Sequence, residues 1–382
     1  MYTMMRKSMF LALSAMVLLA GCSKENEVII DNGGNEGDEA PVLIQLGGTN
    51  SIESNTTASS RAALDAWNNT NVGVLGLAEN AATGTYWSIA KYNSTCILNN
   101  VQGTIATAGD AQTIDIGTGH YYPLDNTTNY TFYGYHPYAS GTGNNNITAE
   151  TAANKITVTY AAFDGTQDIL WGKVKAAQIA GVDGKNYQGF NARYFRKMPA
   201  PKTDPNIKFD HKLVRLKFNI SGGEGKIQDL KVTSIKLIKV PTSVSLIVAD
   251  LPNTDEGKIQ FDQTTVDNGK YTLKKNDVDA ADNIELHDGT NPVNKIQMGE
   301  SIMVPAEAAI DGNYTAEVQL AFKTAGLTID PSPITITPPT GKNFTAGNAY
   351  NINIKINGLT DIKITATLSA WGNGGDSELE IN

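Results

Sequence analysis

The sequence predicts an all-β protein built of two tandem, antiparallel β-sandwich domains. Apolar and polar residues alternate in Ile156-Val158-Tyr160, Val318-Leu320-Phe322, Ile334-Ile336, Ile352-Ile354-Ile356 and Ile362-Ile364-Leu368, as strands with one buried face require. These runs are short and punctuated by Gly, Asn, Asp and Pro, which suits sheets joined by turns. No stretch of comparable length repeats its apolar residues at helical spacing. At 382 residues the chain is longer than one core ordinarily organises, so two domains are expected.

The chain begins with a secretion signal. Arg6 and Lys7 form a basic region, and Met9 to Ala20 is an almost unbroken apolar run. About twelve residues cannot span a bilayer, which takes roughly twenty, but they suit a signal-peptide core before small residues at a cleavage site. Residues 1–21 are read as that signal, cut between Gly21 and Cys22. Leu19-Ala20-Gly21-Cys22 resembles a bacterial lipoprotein signal. The resemblance implies that Cys22 is acylated on its sulfur and its amine, and two acyl chains anchor stably where one does not. Loss of Arg6 and Lys7 takes the net charge from −9 to −11. So acidic a chain repels phosphate backbones and lacks the basic face that nucleic-acid binding needs. With Cys22 lipidated, Cys96 has no partner within the chain for a disulfide and is expected to be a small buried apolar residue.

Residues 22–61 form a leader. Its first part, to residue 40, is rich in Glu, Asn, Gly and Asp and is read as a flexible tether. PVLIQLG at 41–47 offers a short strand through Val42, Leu43, Ile44 and Leu46. A second polar stretch ends at Arg61. Between Cys22 and Trp67 the basic residues are Lys24 and Arg61, so the Arg61–Ala62 bond presents itself to a trypsin-like protease just before the folded part begins. Pro199, Pro201 and Pro205 interrupt sheet pairing, which places the two domains at 62–204 and 205–382. Just beyond, Lys208 to Ile220 reads as one long strand whose inward parity changes between Leu213 and Val214; a bulge or burial of both faces would account for the change.

No catalytic residue, metal site or cofactor is legible. His120, His136, His211 and His287 are far apart and in no ligand spacing, and no nucleophile elbow, phosphate loop or dinucleotide fingerprint occurs. His136 and His211 lie in strand-like runs and are read as structural. Asp277, Asp279 and Asp282 lack the spacing of a calcium loop and read as a solvated turn. The aromatics Tyr130, Phe132, Tyr133, Tyr135 and Tyr138 have two readings: a sugar-stacking platform, or a strand filling a core on one face and covering a sheet on the other.

Several segments together resemble the fimbrillin family of Bacteroidales, the subunits of type V pili. They are the signal ending at Cys22, Phe132-Tyr133-Gly134-Tyr135-His136-Pro137-Tyr138, Asp168-Ile169-Leu170-Trp171, Phe209-Asp210-His211-Lys212-Leu213, Phe344-Thr345-Ala346-Gly347-Asn348-Ala349-Tyr350-Asn351-Ile352, and Ile364-Thr365-Ala366-Thr367-Leu368-Ser369-Ala370-Trp371. With no nucleophile, acid–base pair or metal set legible, the chain is read as not an enzyme. The resemblance implies two transthyretin-like sandwiches. It implies a precursor anchored in outer-membrane lipid through Cys22, and a trypsin-like surface protease that cuts after Arg61 and removes the strand at Val42–Leu46. The groove so opened is filled by a strand from another copy or a related subunit, giving an adhesive fimbrium. In this sequence the best donor is Asp361 to Trp371, with Ile362, Ile364, Ala366, Leu368 and Ala370 on one apolar face. The same segment equally reads as the last strand of its own domain. The alternative function is a tip adhesin, or a surface lipoprotein retained through Cys22, that grips a glycan or protein ligand.

Overall fold

The computed structural model describes residues 40–50, 67–80, 85–86, 96–106, 112–124, 128–141, 144–150, 154–175, 179–180, 186–187, 190–197, 204–251, 255–275, 283–324, 326–359 and 361–369. Among them the fold is all-β, with one short α-helix at Ala192–Lys197.

The first sheet closes on itself. Thr70–Asn80 pairs with Cys96–Ile105, and the order continues through Gln112–Asp115, Leu46–Asn50, Asn206–His211, Leu170–Val174 and Asn129–His136, which pairs back with Thr70–Asn80. Such closure removes open sheet edges. Leu46, Val72, Val74, Leu98, Ile114, Phe132, Leu170 and Phe209 fill the interior of this ring. Gly134 permits one of these contacts, since a Cβ there would stand 2.5 Å from Phe209 Cζ. The aromatic ring lies across bare backbone.

Asn129–His136 is buried on both faces. Tyr130 and Phe132 point into the ring, while Tyr133 and Tyr135 join a second core outside it. A second sheet covers them, ordered Asn145–Glu150, Lys155–Tyr160, Val244–Asp250 and Ile259–Gln260. Its middle pair joins strands from either side of the proline-rich stretch, with Ile156, Val158 and Tyr160 fully buried on the inner face.

Apart from two small two-stranded ladders, Val42–Leu43 with Tyr121–Tyr122 and Ile179–Ala180 with Asn186–Tyr187, the remaining sheets form a two-sheet sandwich. One sheet runs Ile296–Val304, Val214–Gly222, Ala349–Ile356, Ile362–Ser369; the other runs Lys270–Thr272, Leu230–Ile238, Tyr314–Phe322, Ser332–Ile336, with Ile284–Glu285 also on Leu230–Ile238. Phe218, Ile220, Val232, Ile235, Val318, Ile352 and Ile354 interdigitate between them. The Phe344–Ile352 segment is tied down locally: Phe344 packs 4.7 Å from Tyr314 and 4.9 Å from Tyr350, whose hydroxyl donates to Asn343 O at 3.1 Å.

The single long strand expected over Lys208–Ile220 is two strands. Asn206–His211 stays in the ring and Val214–Gly222 enters the sandwich, with Lys212 and Leu213 between them. The parity change marks a handover between sheets rather than a bulge within one. The boundary expected at 204/205 falls immediately before this ring strand.

Charged groups fasten the second sheet to the ring. Glu256 accepts from Lys173 at 2.6 Å and from the Tyr133 hydroxyl at 3.0 Å, and Trp171 Nε1 donates to Val248 O at 2.8 Å. Asp255 lies between Lys155 at 2.6 Å and Lys258 at 2.8 Å, and the hydrogen bonds from these two ammoniums hold its carboxyl down to about 2. A carboxyl depressed on folding stabilises the native state above its unfolded value, near 4, and loses that contribution as pH falls through its folded value. An Asp255→Asn protein should therefore lose thermal stability less steeply than the parent between pH 4 and 2, as followed by circular-dichroism melts.

Candidate functional site

The expected removable strand lies partly in the ring. Val42 and Leu43 pair with Tyr122 and Tyr121 in a small separate ladder, and Ile44 N–H donates to His120 O at 2.9 Å. The continuous ladder begins where the expected strand ends. Leu46, Gly47 and Gly48 run antiparallel to Ile114, Thr113 and Gln112, while Gly47 to Asn50 run parallel to Asn206–Phe209. Gly47 N–H also donates to Pro205 O at 2.8 Å. Leu46–Asn50 is thus an interior stave of the ring, with a partner on each side. Arg196 Nη2, on the helix, donates to Ala40 O just upstream.

Side chains alternate as the pairing requires. Ile44 and Leu46 are 3% and 2% exposed, in the same core as Trp67, Ile105, Ile114, Tyr122 and Phe209, whereas Gln45 is exposed. The next inward position is Gly48. A Cβ there would meet Ile105 Cδ1 and Ile114 Cγ1 at 3.0 Å each, so the trough that holds the stave is deep at 44 and 46 and shallow at 48. Sequence reasoning missed this stretch because GGTN has neither β-branched residues nor alternation. Two glycines directly after an apolar alternation were the available sign of close backbone approach.

The candidate donor lies at the other end of the chain. Ile362–Ser369 pairs antiparallel with Ala349–Ile356 and ends the sheet order. Ile362, Ile364 and Ala366 are only half-buried and Leu368 is 44% exposed. On Ala349–Ile356 beside them, Tyr350, Ile352, Ile354 and Ile356 are all buried. Gly21, Cys22, Arg61, Ala62 and Ala370, with Asp277, Asp279 and Asp282, lie outside the described residues.

The aromatic run does not form a sugar-stacking platform. Tyr130, Phe132, Tyr133 and Tyr135 are all buried, and only Tyr138 is half-exposed. Burial also pushes the His136 imidazole below its ordinary range, while its Nδ1 lies 2.8 Å from Asn71 O. His211 Nδ1 sits 2.7 Å from an Asp168 carboxylate oxygen, both groups buried. This pair joins two of the segments quoted above and braces Leu170–Val174 against Asn206–His211. Cys96 is buried, its Sγ donating to Leu98 O at 2.7 Å. Among the described residues no group of three or more His, Cys, Asp or Glu is placed to hold a metal ion, and no helix is long and apolar enough to cross a membrane.

Comparison with known families identifies the match as fimbrillin-like, over residues 60–371. The chain belongs to this family. No curated protein matches the sequence. Among solved structures, this fimbrillin-like chain is similar to a candidate cell adhesion protein from Bacteroides uniformis, at 14% identity over 87% of this chain and 98% of that one, with a TM-score of 0.48. It is also similar to two Porphyromonas gingivalis proteins. The tip fimbrial protein Mfa3, solved with a C-terminal truncation, matches at 12% identity over 87% and 100% of the two chains, TM-score 0.36. The fimbrial anchor protein Mfa2 matches at 8% identity over 87% and 98%, TM-score 0.31.

The stave's contribution is measurable in the uncleaved chain. Leu46→Ala should cost about 2–5 kcal/mol, since it empties a fully enclosed site, and Gly48→Val should also destabilise by crowding Ile105 and Ile114. Gln45→Ala, immediately before Leu46 but exposed, should stay within about 0.5 kcal/mol of the parent. Midpoints of urea unfolding separate the three.

Proposed function

We propose that this fimbrillin-like chain is a structural subunit of an adhesive surface fimbria, exported as a precursor anchored through acylated Cys22 in the outer membrane. A trypsin-like surface protease cuts after Arg61, and the freed subunit enters the fimbrium by accepting a strand from another copy or a related subunit. Its folded part consists of the ring with its covering sheet and the C-terminal sandwich, joined across the proline-rich stretch.

One observation carries the reading. Of the seven ring strands, Leu46–Asn50 alone precedes Arg61, so a cut there separates that stave from the chain while leaving the other six covalently whole. Its loss would leave unpaired donors and acceptors along Gln112–Asp115 and Asn206–His211, and an apolar trough over Ile105, Ile114 and Phe209. Both are costly in water, and a strand added from a neighbour removes both costs. Ile362–Ser369 suits that role, being an edge strand with a half-covered apolar face. Because Ile362, Ile364 and Leu368 are already partly covered, completing their burial would contribute roughly half of the 1.5–3 kcal/mol per side chain that full burial from water gives, about 2–5 kcal/mol in all before ordering costs.

The remaining arginines of the mature chain are poorer substrates. Arg215 is 7% exposed in the middle of a sheet, and Arg193 and Arg196 lie on the helix. Trypsin also accepts lysine, so the dose is kept limiting; such treatment of the precursor should first yield a fragment beginning at Ala62, followed by heat-resistant ladders in denaturing gels. Arg61→Ala should remain lipidated and monomeric. Ladders from that variant, or a cleaved product that stays monomeric, would defeat the scheme.

A further inference from the structure

The outward face of the sandwich sheet that ends in Ile362–Ser369 has a composition unlike the rest of the chain. Strand register aligns Gln297, Asn219, Asn353 and Thr365 in one row across all four strands. Asn219 Nδ2 donates to Asn353 Oδ1 at 3.1 Å, while Gln297 Nε2 donates to Gly299 O at 3.2 Å within its own segment. The neighbouring row places Ser221, Lys355 and Lys363 side by side, with Lys295 donating its backbone N–H to Ser221 Oγ at 3.0 Å. Lys355 and Lys363 face each other directly, and both are exposed. On the opposite side of the amide row stand Lys217, Asn351 and Thr367. None of these paired positions is Asp or Glu. The nearest carboxylates by register are Glu300, in the bulge beside Lys217, and Asp361 at the rim. In a chain whose net charge is −9, this face is cationic.

Two lysines directly opposed on adjacent strands repel each other and weaken the sheet. Among the described residues the register sets no carboxylate against the pair, whereas an anion lying across it would relieve the repulsion. The chemistry beside it narrows the anion. A protein partner is held chiefly by aromatic and aliphatic anchors in the centre of its interface, where lysine is depleted; these three rows contain no such side chain. The row spans about 14 Å at the usual strand spacing; Asn219 within it is 8% exposed and engaged with Asn353, while Gln297, Asn353 and Thr365 offer amides and a hydroxyl to sugar hydroxyls, with the ammoniums placed for carboxylate or sulfate.

We propose that this face binds an acidic polysaccharide, with Lys355 and Lys363 contacting its anionic groups and Gln297, Asn353 and Thr365 contacting its hydroxyls. The site is independent of the aromatic run and of cleavage at Arg61. Because Lys363 and Thr365 sit on Ile362–Ser369, the face is complete only while that strand lies in its own sandwich. A chain gripping the polysaccharide is therefore one that has not donated this strand.

The test uses the full uncleaved chain in affinity electrophoresis through gels containing polygalacturonate, dextran sulfate or neutral dextran. Retardation by either acidic polymer, weakening with salt, and none by neutral dextran is the expected result. Lys363→Glu puts an opposite charge across from Lys355, so it should hold or raise the melting temperature while weakening retardation at least tenfold. Lys208→Glu, the same charge change on an exposed position of the ring, should leave retardation unchanged. Asn353→Ala with Thr365→Ala should weaken it severalfold at constant charge. Equal retardation of the parent and Lys363→Glu overturns the proposal. So does binding to anionic phospholipid vesicles without binding to either acidic polymer, or self-association of the parent that Lys363→Glu abolishes with no retardation by either polymer.

Discussion

Closure of the ring is the constraint on which the rest of the structure depends. In a closed sheet every strand satisfies its backbone groups with two neighbours, so no member can be removed without opening two rows at once. Leu46–Asn50 occupies such a place while contributing few side chains: Leu46 enters the core, Gly48 lets Ile105 and Ile114 close over the backbone, and the outward positions face solvent or neighbouring strands. Its hold is therefore largely that of hydrogen bonds and one or two apolar anchors. Such a segment completes the fold without being woven into it, and another extended segment with suitable alternation could take its place.

Everything outside the ring is organised to keep the other six staves in position. Tyr133 and Tyr135 project from the ring into the core beneath the second sheet, and Val244–Asp250 crosses from the C-terminal half to pair with Lys155–Tyr160. Glu256 then draws Lys173 and Tyr133 together from adjacent ring strands. The buried His211–Asp168 contact secures the strand next to the stave from its far side. These bonds lie on the side of the molecule that the leader does not build, so its removal need not disturb them.

Much of this was legible in the sequence wherever one strand buries one face. Ile352-Ile354-Ile356 alternates with Asn353 and Lys355 because its other side is open to solvent, and the structure buries each of these isoleucines as it does Ile156, Val158 and Tyr160. Tyr130 to Tyr135 also fell to one of its two readings, a core on one face and a covering sheet on the other. Legibility failed where pairing partners are remote. Nothing local in Lys208 to Ile220 says that two sheets share it, because a strand's alternation records which face is buried and not which sheet buries it. The Leu46–Asn50 stave was hidden for the opposite reason: its work is done by backbone, and glycine leaves no pattern to read. The opposed Lys355 and Lys363 become visible only when register places residues eight apart against each other across a turn.

The parallel pairing of Gly47–Asn50 with Asn206–Phe209 has a consequence for the order in which the molecule assembles. Thr49 and Asn206, which meet through a side-chain hydrogen bond, are 157 residues apart. Contacts of such separation carry a large loop-closure entropy and slow folding unless nearer contacts form first. The hairpin of Thr70–Asn80 with Cys96–Ile105 can form early, and the stave can meet Gln112–Ile114 on one side, but its other side has to wait until the chain as far as residue 209 has arrived. The first part of the ring to leave the ribosome is thus among the last to be seated on both sides, and the molecule spends its folding time as an open sheet with one seam unclosed.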